Sequence, residues 1–300
     1  MTESEILENE NLVKVDPGLR LDHVVGQPTA VAQLRDLCRR IQWPQIYSAL
    51  GVSKPKAIAL VGPPGAGKTF TIRALANEVS CPLMELKYED VASHLYDEAI
   101  KKLNSFKDQA AKAAEAHGHV LVMIDEADIF FQSRFDSNVH NSDSKKTNFF
   151  LRWIDGDLEG SDNFTIVVAS NAWETIDPAL RRSGRFTKIE FKALSPVDVV
   201  EAIKVHMDLS EKRVGRRLFD RTGIEGLVDI AAEVTGADVK ELIDSVLLNR
   251  ANKHLDLLLD GREDITIVDV GPITIDEVAD EMKMQHKKLK PAVRRMCFER

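Results

Sequence analysis

The stretch "VGPPGAGKTF", residues 61–70, sets a glycine- and proline-rich loop ahead of Gly67, Lys68 and Thr69, between the apolar run "AIALV" at 57–61 and the helix-like run "TFTIRALANEV" at 69–79. Glycines at 62, 65 and 67 free the backbone to curl, so that successive N–H groups converge on phosphate oxygens. Lys68 then reaches the terminal phosphates of a nucleoside triphosphate, and Thr69 supplies a hydroxyl to a magnesium ion. The expected nucleotide cradle is therefore Gly62, Pro63, Pro64, Gly65, Ala66, Gly67, Lys68, Thr69 and Phe70. The strand before the loop and the helix after it separate this reading from a glycine-rich turn that only matches the pattern.

Working outward, the chain alternates strand and helix. Ile72, Leu75, Ala76 and Val79 recur at helical spacing, "PLMEL" at 82–86 reads as a second strand, and Ile100, Leu103, Phe106, Ala110 and Ala114 mark one face of a long helix that Gly118 ends. "VLVMID" at 120–125 and "FTIVVAS" at 164–170 are continuous apolar runs, as expected of parallel strands covered on both faces. The predicted fold is α/β: a P-loop NTPase doubly wound parallel sheet with a smaller C-terminal helical lid domain. Residues 1–20 are expected to form a polar, flexible N-terminal segment, 21–192 the large ATP-binding domain, and 193–300 the lid with a C-terminal helix. In the lid, Ser195, Pro196 and Asp198 announce a helix start, a further helical region covers 225–234, Thr235 opens a helix with an apolar stripe at Val239, Leu242, Ile243 and Val246, "DGREDITIVDVGPITI" reads as a short β excursion, and Thr274 with Glu277 forms a capping box.

The chemistry follows from acids and cations at strand ends. Asp125, closing a buried strand, is placed to hold the magnesium ion with Thr69, and Glu126 beside it can orient and polarise an attacking water. Asn171, at the tip of "FTIVVAS", can hydrogen-bond the γ-phosphate or that water. Arg181, Arg182 and Arg185 cluster after "DPAL"; phosphoryl transfer calls for a cation at the γ-phosphate, whereas the plain alternative for each arginine is a surface ion pair. For Arg181 the ion pair is the expectation.

From about residue 21 to 293 the chain resembles the classical AAA ATPases, the group that includes FtsH-, NSF- and katanin-type proteins. "LDHVVGQ" resembles the start of that module, "GPPGAGKT" its Walker A loop, "IDEAD" its Walker B box, Asn171 its first sensor, and "IDPALRRSGRF" its second region of homology. The resemblance implies that Arg182 and Arg185 are arginine fingers acting on a neighbouring subunit's ATP, and hence a homo-oligomeric ring, usually a hexamer. It also implies that Val24 and Val25 lie near the adenine and that Gly236 and Ala237 of "TGADV" lie near the nucleotide. Catalytic roles fall to Glu126, Lys68, Asn171, Arg182 and Arg185. Departures are visible: His23 and Val25 replace the acid and the glycine usual near the base, and the pore loop reads "SHLYDEA", with Leu95 at the aromatic position, Tyr96 next and Asp97 in place of glycine. Leu95 and Tyr96 are the candidates for gripping a threaded substrate.

Composition bounds the rest. With 44% hydrophobic and 29% charged residues in 300, the chain has the material for a full α/β core and a second domain. A formal charge of -8 argues weakly against a dedicated nucleic-acid binder, although "KMQHKKLKPAVRR" at 283–295 gathers basic side chains, read as a solvated helix end. The acidic start lacks the pattern of a signal peptide, and the apolar runs are short, so no membrane insertion and a cytoplasmic location are expected. No folded recruiting domain is expected in the twenty residues before residue 21. Cys38, Cys81 and Cys297 form no CxxC pair, "HGH" at 117–119 lacks a partner at ligand spacing, and no HExxH protease motif occurs. The expected partners are a protein substrate or adaptor, with ATP hydrolysis driving unfolding or disassembly. The alternatives are a nucleic-acid remodelling or loading ATPase using the basic tail, and an assembly switch in which hydrolysis is a timer.

Overall fold

The computed structural model describes residues 11–91, 96–132, 141–157, 163–259 and 272–296. By contacts these separate into two compact units, one holding residues 1–63 and 67–192, the other 64–66 and 193–300.

In the first unit a short 3-10 turn, Leu21–His23, precedes α1 (Pro28–Gln42) and α2 (Pro44–Ser48). Then come β1 (Ala57–Val61), α3 (Lys68–Val79), β2 (Leu83–Glu85), α4 (Tyr88–Val91), α5 (Tyr96–His117), β3 (Val120–Ile124), α6 (Ala127–Phe130), α7 (Asn141–Asp155), β4 (Phe164–Ser170) and β5 (Thr187–Glu190). The strands form one parallel sheet in the order β2-β3-β4-β1-β5. β3 and β4 are buried along their whole length, which is why their sequences are unbroken apolar runs rather than alternating ones. One core packs Leu103, Phe106, Phe150, Trp153 and Phe164 against the sheet, with Trp153 and Phe164 rings 5.1 Å apart. α1 and α7 escape the sequence reading, and so does β5, whose four residues are exposed apart from Ile189.

Residues 11–20, expected as part of a flexible polar segment, run along the sheet edge. Leu12 bridges Met84 antiparallel, Val13 N–H donates to Leu83 O at 2.8 Å, and Asn77 Nδ2 donates to the carbonyls of Asp16 and Leu19. The open side of β2 offers main-chain groups that this segment satisfies, and Leu19 is buried as a result. Cys38 and Cys81 are free thiols, each pushed up to about 12 chiefly by burial; Cys297 lies outside the described residues.

The second unit is helical: α8 (Pro196–Val214), a 3-10 stretch Ile224–Glu233, α9 (Gly236–Leu259) and α10 (Ile275–Met296). Ser195 Oγ accepts from Asp198 N–H at 3.2 Å while Asp198 Oδ2 accepts from Ser195 N–H at 2.9 Å, the reciprocal cap its sequence announces. Thr274 N–H donates to Glu277 Oε2 at 3.0 Å in the same manner. Val199, Ile203, Val239, Leu242, Ile243 and Val278 build its core. Of the expected β excursion, Ile273 makes a single parallel bridge to Phe219, and residues 260–271 lie outside the described residues.

Candidate nucleotide-hydrolysis site

Three neighbouring strands deliver the site. Because β3, β4 and β1 are parallel and adjacent, with Val61 level with Ser170, the residues that follow their C-terminal ends emerge side by side at one edge of the sheet. Gly62 follows β1, Asp125 follows β3 and Asn171 follows β4.

Gly62 cannot carry a side chain: a Cβ there would lie 2.3 Å from the carbonyl oxygen of Phe191. Gly67 holds φ 86° and ψ 17° as the residue before α3, a left-handed turn that aims the first free N–H groups of the helix at the loop. That helix start is a preformed anion site, and this loop therefore fits a triphosphate on its own geometry. Ala66 is buried, Pro63 and Pro64 are exposed, and Phe70 sits half-buried in the first turn of α3.

Lys68 is 7% exposed, and its Nζ donates to Gly62 O at 2.8 Å, Pro63 O at 2.8 Å and Asn171 Oδ1 at 2.7 Å. Burial lowers its pKa, opposed by the carboxylates of Asp125 and Asp128. Thr69 Oγ1 donates to Asp125 Oδ2 at 2.7 Å, so a hydroxyl and a carboxylate oxygen meet at the mouth of the loop, the hard-oxygen pair that a magnesium ion takes. Glu126 is exposed with φ 51°, rare for a residue bearing a Cβ, and its N–H donates to Asp125 Oδ1 at 2.9 Å.

Two groups were not singled out by sequence. Asp128 Oδ1 accepts from Asn171 N–H at 3.1 Å and so ties the ends of β3 and β4 together; it lies within "IDEAD", but its role follows from the strand adjacency, which spacing does not give. Gln27 brackets the main chain of Lys192, donating to its O at 2.6 Å and accepting from its N–H at 3.0 Å. That clamp holds the loop bearing Val24 and Val25, both half-buried between the Leu21–His23 turn and α1.

The three arginines part company. Arg181 pairs with Glu174 at 2.6 Å and donates to Ile176 O. Arg185 forks onto Asp155, Nε to Oδ1 at 3.2 Å and Nη2 to Oδ2 at 2.8 Å. Arg182 is exposed, and its side chain makes no hydrogen bond or ion pair among the described residues. Gly236 and Ala237 open α9 in the second unit. Tyr96 begins α5, and Leu95 lies outside the described residues.

The sequence profile of the "ATPase family associated with various cellular activities (AAA)" matches residues 58–194. Protein CdcH of Halobacterium salinarum is 27% identical over 263 residues, covering 87% of this chain and 33% of that protein. ATP-dependent zinc metalloprotease FtsH 1 of Thermomicrobium roseum is 28% identical, covering 79% of this chain and 35% of its own, and the FtsH of Slackia heliotrinireducens is 28% identical, covering 80% and 30%. The chain thus spans about a third of the length of these relatives. Among the described residues no helix is long and apolar enough to cross a membrane. Residues 58–194, a little under half of the chain, are thus similar to the AAA ATPase family.

Proposed function

We propose that this chain is an ATPase of the AAA type that works as a homo-oligomeric ring, a hexamer by family resemblance, and uses ATP hydrolysis to remodel, unfold or disassemble protein partners. The observation that carries the catalytic half is the pair of 2.7 Å hydrogen bonds, Lys68 to Asn171 and Thr69 to Asp125, which gathers the phosphate-binding cation, the sensor amide and the metal donors at one sheet edge. A bound Mg2+ supplies charge neutralisation at the phosphate oxygens, and Thr69 with Asp125 would hold it. Lys68 exchanges its loop carbonyl partners for phosphate oxygens. Asn171 positions the γ-phosphate or the water, and Glu126, exposed beside the cradle, takes up the proton of that water as a general base. By the family resemblance, Val24 and Val25 serve the base, and Gly236 and Ala237 belong to the nucleotide-binding set.

The ring is supported by two surface features. Arg182 projects without a partner among the described residues, as a group serving another subunit would. Trp43, Ile46, Leu50 and Val52 are exposed together around α2, a helix with no buried residue, and an apolar cluster of this kind marks a contact surface. Tyr96 and Leu95 remain the proposed substrate grip.

The test compares Lys68→Ala with Glu126→Gln. Lys68→Ala loses ATP binding, whereas Glu126→Gln binds ATP, turns over at least ~100-fold slower, and in ATP holds a stable ring with a protein client that the wild type releases. Equal loss of binding in both variants would refute the site assignment; a monomer in every nucleotide state would refute the ring.

A further inference from the structure

Gln27 immediately precedes α1 and is only 3% exposed, although glutamine is ordinarily a surface residue. Its carboxamide meets the main chain of one residue, 165 positions further along: Nε2 donates to Lys192 O at 2.6 Å and Oε1 accepts from Lys192 N–H at 3.0 Å. An aliphatic side chain would fill the same space without the cost of burying an amide. Two hydrogen bonds to one residue do something else: they fix the distance and the orientation between two segments.

The chain around Lys192 is held from the opposite side as well. β5 runs level with β1 as far as Glu190 and Val61, and the ladder continues for one more rung, Phe191 N–H donating to Val61 O at 2.7 Å. Along an extended backbone successive residues turn their polar groups to opposite sides. Phe191 therefore faces β1, its carbonyl oxygen lying so close to Gly62 that no Cβ fits there, while Lys192 faces Gln27. Phe191 and Lys192 form a strut, pinned by the buried Phe191 side chain, with the first residue of the phosphate loop on one flank and Gln27 on the other. Behind Gln27 the chain has little slack. Gly26 turns at φ 74°, and Val24 N–H closes the Leu21–His23 turn on the carbonyl of Leu21, whose side chain is fully buried. Every part of this arrangement belongs to the first unit.

We infer that Gln27 is a positioning residue for nucleotide recognition: through the strut of Phe191 and Lys192 it holds the loop of Val24 and Val25 at a fixed distance from the phosphate cradle, so that one bracket carries both ends of the ligand. The inference rests on the nucleotide reading above and deepens it, since it assigns a residue that sets the preference for a whole nucleotide over a bare triphosphate. A ligand with a base and a phosphate chain gains from the bracket because neither end has to be ordered on binding. Inorganic tripolyphosphate has one end and gains nothing from it. The Gln27 amide is committed to Lys192, so it acts through the loop and not on the ligand.

Calorimetric titration of the full chain with Mg-ATP and with Mg-tripolyphosphate tests it, every protein carrying Glu126→Gln so that ATP survives the measurement. Gln27→Met keeps the length and bulk of the side chain but removes both hydrogen bonds. It should weaken ATP about tenfold or more and leave tripolyphosphate within about twofold. Lys192→Ala is the control: Lys192 is exposed and offers Gln27 only its main chain, so both affinities should stay within about twofold. A parallel loss of both ligands in Gln27→Met, or loss of its fold at the assay temperature, would make Gln27 a structural residue and overturn the proposal. Unchanged ATP affinity in Gln27→Met overturns it too, as does an equal loss in Lys192→Ala. With Gln27 intact, tripolyphosphate bound as tightly as ATP would overturn the bracket and leave the phosphate cradle standing, whereas binding of neither ligand would overturn the nucleotide reading and the bracket with it.

Discussion

Asn171 Oδ1 and Lys68 Nζ lie 2.7 Å apart, so the residue that follows β4 and the one that begins α3 share a hydrogen bond across the phosphate loop. Asn171 thereby fixes where the lysine points, while its own N–H is fixed by Asp128. Asn171→Ala removes this orientation but none of the loop's N–H groups. ATP affinity should stay within about threefold of wild type and turnover should fall by roughly 10- to 100-fold, because the lost interaction matters in the transition state. Calorimetric titration with ATP, set beside steady-state hydrolysis, checks the split. A parallel loss of affinity and rate would make Asn171 a binding residue only.

Arg185 and Arg182 make different demands on the ring. Arg185 is held within its own chain by the two-point contact with Asp155, a geometry that fixes the guanidinium plane, whereas Arg182 is exposed. If both serve a neighbour's ATP, Asp155→Ala should lower turnover by about tenfold with nucleotide affinity unchanged, since it loosens a group that acts on another site. Mixing Lys68→Ala with Arg182→Ala should restore part of the activity, because the first still donates fingers and the second still binds ATP. No recovery in verified mixed rings would place these arginines in cis or in structure alone.

Strands and loop chemistry were legible because each rests on a local pattern. The apolar runs of β1, β3 and β4 are strands fully enclosed by helices, and the cradle residues are contiguous in sequence. Capping at Ser195 and Thr274 is equally local. What sequence did not show depends on pairs far apart in the chain. Asp155 meets Arg185 across 30 residues and Gln27 meets Lys192 across 165, so neither partner advertises the other. β5 is short, mostly exposed and half charged, "TKIE", and carries no strand periodicity. α1 is the exception: Val31, Leu34, Cys38 and Ile41 are buried on one face at helical spacing, a signal that the sequence carries.

The exposed cluster of Trp43, Ile46 and Leu50 gives a test of assembly separate from catalysis. Leu50→Asp places a charge on a residue that is 79% exposed and so leaves the monomer's core intact. Its melting temperature should match wild type. Oligomer formation in ATP should nevertheless shift to at least ~10-fold higher protein concentration, read by light scattering. Assembly at the wild-type concentration would show that this surface does not face another subunit.

His119 and Thr165 provide a pH test of the sheet itself. His119 Nε2 lies 3.1 Å from Thr165 Oγ1, whose own proton is donated to Pro55 O at 2.7 Å, so the imidazole must be the donor and carries its proton on Nε2. Its Nδ1 is buried without a partner, and a second proton there would sit as an unsolvated charge. Burial accordingly pushes the His119 pKa down from 6.5 to about 4, and the nearby Lys54 ammonium adds to the shift. Between those two values the unfolded chain binds a proton that the folded chain refuses. The stabilising contribution of neutral His119 is therefore complete above pH 6.5 and is lost as pH falls toward 4, at about 1.4 kcal/mol per pH unit within that window. His119→Gln keeps a donor to Thr165 but cannot titrate. Denaturant unfolding of the two proteins from pH 7 to pH 4 should show the wild type losing stability more steeply than the variant below 6.5, with the carboxylates common to both cancelling in the difference. Parallel curves for the two proteins would mean that His119 takes up its proton in the folded sheet at no cost.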